Sequence, residues 1–280
     1  MVLYSECRFI MTEAIKSKLP TAITSYDLLK AFAVIIMICD HIGFYFYPDD
    51  MWWRAIGRIG FPVWFFLIGY AHSREITKSL LIGSVILLLT AVIFGMYVFP
   101  LSALVTIICL RLVIERVGRG ALSSMQAMAG LMIGCVLIAL PTGILVEYGT
   151  MALAFAVFGY MVRARQDGRD VSMDMQVMCM MLATMSFVLV QHFTFKFSEP
   201  QLYFVGIGTL GVMLILFFFS KMEFIKITNV LSKPFKVLIQ FLGRRTLEIY
   251  VAHLVLFRVA GLILDPERFK IIQPTLFFTS

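Results

Sequence analysis

The sequence predicts an all-α protein, a polytopic bundle of about nine membrane-crossing helices with its N-terminus in the cytoplasm. Three observations carry this reading. Apolar residues fill 60% of the 280 positions and charged residues only 15%, whereas a soluble domain carries roughly 25% charged residues. The mean hydropathy is +0.91. The apolar residues gather in runs close to the ~20 residues that cross a hydrocarbon layer, and Lys and Arg gather in alternate loops.

The elements follow in chain order. Residues 1–25 hold Glu6, Arg8, Glu13, Lys16 and Lys18, which interrupt any apolar signal-peptide core, so they read as a cytoplasmic tail. Apolar runs then occupy 28–47, 52–72, 80–99, 101–114, 122–140, 148–162, 175–191, 202–220 and 246–264. The second contains Arg54 and Arg58, the fourth and sixth are short for a span, and Pro141 with Gly143 stops the fifth. Asp265-Pro266 ends the ninth. Segment 221–245 is polar enough for a cytoplasmic loop, with 235–242 lying in the membrane interface as a short helix. The whole reads as one transmembrane domain over 26–265, followed by a tail at 266–280, without an internal repeat.

Loop charge sets the orientation. With the N-terminus inside, cytoplasmic segments hold Lys16 and Lys18; Arg74 and Lys78; Arg116 and Arg119; Arg163, Arg165 and Arg169; and the basic residues of 221–245. The outer loops at 48–51, 99–101 and 141–147 hold no Lys or Arg, and 192–201 holds only Lys196. The net charge of +7 is therefore a topology signal, not a nucleic-acid footprint. Cys7, Cys39, Cys109, Cys135 and Cys179 are scattered without a pairing or metal-ligand spacing and read as packing residues. No phosphate-binding loop, zinc-protease motif or serine-hydrolase elbow is present.

Ionisable side chains inside apolar runs cost free energy and point to function. The first run starts with Asp27 and Lys30, three apart on one helix face, and ends with Asp40 and His41. Asp27 also suits the helix start as a cap. His41 lies eleven residues past Lys30, about 16 Å along the axis at 1.5 Å per residue. A tight connection at 48–51 makes runs one and two a hairpin, which brings Arg58 to the depth of His41. Arg58 then pairs with Asp40 for structure or supports His41 chemically. The ninth run opens with Arg244, Arg245 and Glu248, followed by Tyr250 and His253. Arg244 and Arg245 read equally as phosphate contacts and as positive-inside flanks, and Arg111 reads as snorkelling.

Asp27-Leu28-Leu29-Lys30, ten residues and then His41 resembles the D-x-x-[RK]-x10-H signature of transmembrane acyltransferases, the acyltransferase family 3 and heparan glucosaminide acetyltransferase group. YDLLKAFAVIIMICDHIG, followed by GRIGFPVWFFLIGY and the late GRRTLEIYVAH, resembles the TraX family, membrane acetylases of pilin subunits. The resemblance implies an acetyl-CoA-dependent acetyltransferase of the bacterial cytoplasmic membrane. His41 matches the family's membrane histidine, and Lys30 stands where many relatives carry Arg.

The residues fit such chemistry. Acyl transfer needs a base, which His supplies near neutral pH, and positive charge at the developing oxyanion. His41, Asp40 and Arg58 are the catalytic candidates. Lys30, Asp27, Arg74, Arg244 and Arg245 are the candidates at the CoA site, with Lys78 nearby. Glu248, Tyr250 and His253 are candidate lining residues. The expected partners are acetyl-CoA, membrane lipids and an acceptor, either a pilin N-terminal amine or a surface-glycan hydroxyl. A small-molecule or lipid transporter that uses the same polar residues is the reading from another class. The charge pattern makes a topology prediction. With the native cysteines replaced, an impermeant thiol reagent applied outside the cell should label a cysteine at 144 and not one at 168, and the reverse result reverses the orientation.

Overall fold

A computed structural model describes residues 20–269 and 271–277. Most of the expected tail at 1–25, together with Lys270 and 278–280, lies outside the described residues. Apart from one short strand pair, the described elements are helices. Helix α1 is Ser25–Phe46. Its start is fixed by a capping box, in which the Thr24 hydroxyl accepts from Asp27 N at 3.1 Å and Asp27 Oδ2 accepts from Thr24 N at 3.0 Å. After the turn, Asp50 caps α2, Met51–Ile59. Pro62 has no N–H, and in a continuous helix its ring would meet the Arg58 carbonyl. The expected second helix therefore breaks at Gly60 and restarts as α3, Phe61–Tyr70.

Helix α4 is Lys78–Ile93, and Gly95 at φ +67° turns the chain out of it. The stretch expected to complete this helix is instead strand β1, Tyr97–Phe99. Helix α5 spans Ala103–Ala121, longer than its apolar run because it continues through Glu115, Arg116 and Arg119. Helices α6, Met125–Leu137, and α7, Ala139–Leu145, are bent by 60° relative to each other. Pro141 was expected to stop a helix, but it sits in the first turn of α7, where its missing N–H has no intrahelical partner to lose. Then come α8 Met151–Gln166, α9 Met173–Phe195, α10 Glu199–Phe217, α11 Ile225–Val230, α12 Lys233–Arg244 and α13 Thr246–Leu264. Strand β2, Thr275–Phe277, pairs parallel to β1, so the segment after Asp265 is tied back onto the bundle.

Among the described residues, α1, α9, α10 and α13 are long and apolar enough to cross a membrane, and the bent pair α6–α7 makes five. Helix α8 is short for a span because it sits at the centre of the bundle, with nearly every residue from Met151 to Ala164 buried. A helix apolar all round is a core element. Helix α12 turns Phe235, Leu238 and Phe241 outward.

Backbone contacts order the two ends. Ser25 N bonds Met222 O, Gln166 Nε2 bonds Phe219 O, Arg163 bonds Ala71 O, and Arg244 pairs with Asp27. The start of α1 and the basic connections thus meet at one end, the Asp27 end. At the other, the hairpin end, Leu101 bonds across to 145–147 and Ile272 N bonds Ile93 O.

Helices α3 and α8 touch backbone to backbone. A Cβ at Gly69 would lie 1.7 Å from Ala156 O, and one at Gly159 would lie 2.1 Å from Phe66 O. Small residues drive helix association in lipid by allowing this approach. Gly69→Val or Gly159→Val should therefore lower the detergent melting midpoint sharply and reduce folded yield. Gly211→Ala meets nothing within 4 Å and lies inside α10, so it should be neutral or slightly stabilising in the same assay.

Candidate active site

Helix α1 carries Asp40 and His41 toward the hairpin end, and α2 and α13 supply their partners. The Asp40 carboxylate accepts from Arg54 Nη1 at 2.7 Å and from Arg58 Nη2 at 2.9 and 3.0 Å. All three side chains are buried or nearly so. Gly57 makes room: a Cβ there would lie 2.2 Å from Asp40 Cβ. Phe195 of α9 covers both guanidiniums, at 5.2 Å from Arg54 and 4.6 Å from Arg58. Another donor of Arg58, Nε, is buried without a partner among the described residues.

His41 takes its partner from the other side. Its Nδ1 lies 2.7 Å from Nε2 of His253, and the Nδ1 of His253 lies 2.7 Å from the Ile249 carbonyl oxygen. A carbonyl only accepts, so His253 Nδ1–H is the donor there. With both rings neutral, Nε2 of His253 must accept from His41 Nδ1–H. Nε2 of His41 then keeps its lone pair. One backbone carbonyl thus fixes both tautomers through two rings. Tyr250 flanks His41, with ring centroids 6.0 Å apart.

Two cavities meet at this cluster. One of about 300 Å³ runs on the Asp27 side and is lined by Lys30, Thr77, Arg111 and Thr246 as well as apolar residues. The other, of about 590 Å³, lies toward the hairpin end and is lined by His41, Arg54, Tyr97, Glu147, Gln191 and Arg258, among others. Asp40, Arg58, Phe61, Tyr148 and Tyr250 line both. Tyr148 has φ +72°, a conformation costly for a bulky side chain, at ~1–3 kcal/mol. Its ring packs on Phe61 at 4.5 Å and lies 5.6 Å from the Arg58 guanidinium.

The other candidate residues are distributed less simply. Lys30 lines the smaller cavity, and so does Arg111, which also donates to the Glu75 carbonyl. Asp27 and Arg244 hold each other at 3.0 Å, and Arg244 Nη2 also donates to the Pro20 and Ala22 carbonyls, so Arg244 ties α12 to the start of α1. Arg74 closes the end of α3 by donating to Ile68 and Gly69 carbonyls. Arg245 and Glu248 pair with each other at 2.9 Å on the exposed surface, and neither lines a cavity. Sequence reasoning passed over Arg258. Its guanidinium donates to the Tyr45 hydroxyl, the Leu87 carbonyl and Thr90. The signal was present, since Arg258 is a charge inside an apolar span, as Arg58 is. Glu147 and Tyr148 sit in a turn that has no periodic pattern to mark them.

The fold and this polar centre define an integral membrane protein whose guanidinium–carboxylate cluster separates two cavities, with a histidine pair beside it on the larger one. The TraX family (TraX protein) matches residues 25–257, and the chain belongs to that family. A relative is an uncharacterized protein of Rickettsia prowazekii (strain Madrid E), 26% identical over 238 residues that make up 84% of this chain and 92% of the relative. No solved structure matches the chain.

Asp40 is the single carboxylate between two buried guanidiniums. Removing one partner of a buried ion pair costs on the order of 3–5 kcal/mol. Asp40→Asn should therefore lower stability toward SDS unfolding by that order. Asp40→Asn combined with Arg54→Met, which removes one of the stranded cations, should recover part of the loss. A wild-type unfolding curve for Asp40→Asn alone would show that the cluster is not structural.

Proposed function

We propose that the protein is a membrane acetyltransferase that takes acetyl groups from cytoplasmic acetyl-CoA and passes them to an acceptor from the opposite side, with a pilin N-terminal amine as the leading candidate and a surface-glycan hydroxyl as the alternative. The reading rests above all on the free Nε2 of His41, held by a two-histidine chain in the larger cavity, beside the wall that divides it from the smaller one. The Asp27 end is the cytoplasmic one in this proposal, and the nine apolar runs of the sequence are its membrane crossings.

The volumes and charges favour this division. About 300 Å³ suits the narrow pantetheine arm, with the nucleotide left at the mouth near Lys30 and Arg111. The thioester would then reach the wall formed by Arg58, Tyr148 and Tyr250. The acceptor would occupy the larger cavity beside His41. In the transfer, the acceptor nitrogen or oxygen bonds to the acetyl carbonyl carbon and its proton passes to His41 Nε2. The carbonyl oxygen carries negative charge in the tetrahedral intermediate. The carbon–sulfur bond then breaks, and His41 returns the proton to the departing CoA sulfur.

The larger cavity holds three guanidiniums, those of Arg54, Arg58 and Arg258, against two carboxyl groups, those of Asp40 and Glu147. The Arg58 guanidinium, which lines both cavities, is a preorganised cation for a transient anion. Asp40 keeps Arg58 in place, which is a positioning role. His253 orients His41 in the same sense.

A transporter would also use two cavities separated by a polar wall, and the chemistry distinguishes the readings. With labelled acetyl-CoA and purified protein, His41→Ala should lose roughly 10²–10⁴-fold in transfer, the range of a positioned base. His253→Ala frees the His41 ring and should lower kcat, whereas His253→Gln retains an acceptor for His41 Nδ1–H and should recover part of it. Full transfer by well-folded His41→Ala protein would remove the enzymatic reading and favour transport.

A further inference from the structure

The larger cavity has two kinds of wall. Its inner wall is the polar cluster around His41. Its outer rim is apolar and open to the outside of the bundle. Val85 and Leu88 of α4 and Leu140 and Ile144 of α7 line the cavity, yet they keep 54%, 40%, 56% and 53% of their surface exposed. Such residues form a mouth, because each touches the interior and the surroundings at once.

The position of the mouth decides what it opens onto. Val85 lies seven residues into α4, about 10 Å along its axis at 1.5 Å per residue. It is therefore mid-helix, among outward-facing Leu81, Ile82 and Leu89, each about half exposed. On the α4 side an opening at that height in an apolar helix faces hydrocarbon, while Leu140 and Ile144 of α7 lie at the hairpin end, so the mouth reaches from the bilayer to its outer boundary. The inner wall shows that the space is meant for a polar group. Gln191 lines the cavity, and its side-chain oxygen, buried within that wall, has no hydrogen-bond partner among the described residues. An orphaned buried acceptor is costly unless a donor fills it. Arg258, also buried on this wall, forms no ion pair among the described residues.

We propose that the acceptor enters the His41 cavity sideways from the bilayer, as an amphiphile whose apolar chain passes between α4 and α7 while its N–H or O–H head meets Gln191 and His41. The inference rests on the acetyltransferase reading and specifies its acceptor class as membrane-embedded. A wholly water-soluble acceptor would have to shed its hydration to cross an apolar rim. A chain-bearing one is already in the phase onto which that rim opens. The chain also fills the mouth during transfer, which keeps water from the acetyl group.

The test uses the full-length protein in phospholipid nanodiscs with labelled acetyl-CoA. Two probes share one short peptide with a free N-terminal amine; one ends in a dodecyl amide and the other has no chain. The chain-bearing peptide should be acetylated at least tenfold faster. Val85→Trp combined with Ile144→Trp narrows the mouth and should erase that preference. Simple partitioning of the probe into the disc would survive in the variant, so the two effects separate. Leu88→Ala combined with Leu140→Ala widens the mouth and should speed transfer to a branched-chain probe, a gain that misfolding cannot mimic. Equal rates for the two peptides, or a preference that persists in the narrowed variant, would overturn lateral entry and leave the transferase reading standing. No His41-dependent consumption of acetyl-CoA with either peptide would bring down both.

Discussion

The structure depends on one buried carboxylate. Asp40 sits in an apolar helix and bridges two guanidiniums from the helix packed against it. A lone charge at that depth would be prohibitive, and a lone guanidinium equally so. Together they form a compact polar knot that fixes the rotation of α1 against α2. That rotation points His41 to the other flank of α1, toward α13. Gly57 is the steric condition for the knot, since any side chain there would occupy the space of Asp40. The connection at 47–50 sets the depth at which the residues meet.

A second constraint keeps this knot in register with the rest of the bundle. Helix α3 continues the chain from α2 after the Gly60 break and packs its backbone against α8. Helix α8 is enclosed on all sides, so it acts as a post to which the polar cluster is indirectly anchored. Just before α8, the chain places Tyr148 in a left-handed conformation against Arg58. The strained turn and the polar knot are therefore parts of one rigid wall. A wall of that kind is what separates the two cavities, and its few shared residues make it about one side chain thick. A group held on one face of it lies close to a group held on the other.

Charge at the Asp27 end has a different task. Arg244, Arg74 and Arg163 pair with Asp27, Glu115 and the carbonyls of helix ends. They bind the basic connections into one layer. Lys30 and Arg111 face the smaller cavity instead. The basic residues of this end thus divide into those that join helices and those that line an entrance. Sequence position does not separate the two groups: Lys30 and Asp27 share a helix face, yet Asp27 is taken up by Arg244 while Lys30 opens onto the cavity.

The sequence by itself determined that the protein belongs in a membrane, that several of its helices are apolar and long enough to cross one, and that Asp40, His41 and Arg58 would lie at one depth. These follow from composition, period and the arithmetic of a hairpin, all of which are local. Residue 246 as the start of the last helix was equally local, and the ninth run has the same bounds as α13. Where tertiary structure decided the outcome, the cause was a contact between distant segments. His253 became the partner of His41 because α13 lies beside α1 across 212 positions of sequence. Arg244 became a tie because Asp27 lies opposite it. Helix α8 needs no bilayer length because other helices surround it. Residues 97–99 left the helical pattern because residues 275–277 offered them a strand to pair with. Periodicity shows which face of an element is apolar. Only packing fixes which element that face meets, because the partner's identity is set by shape and by the pairing of buried charges across the chain.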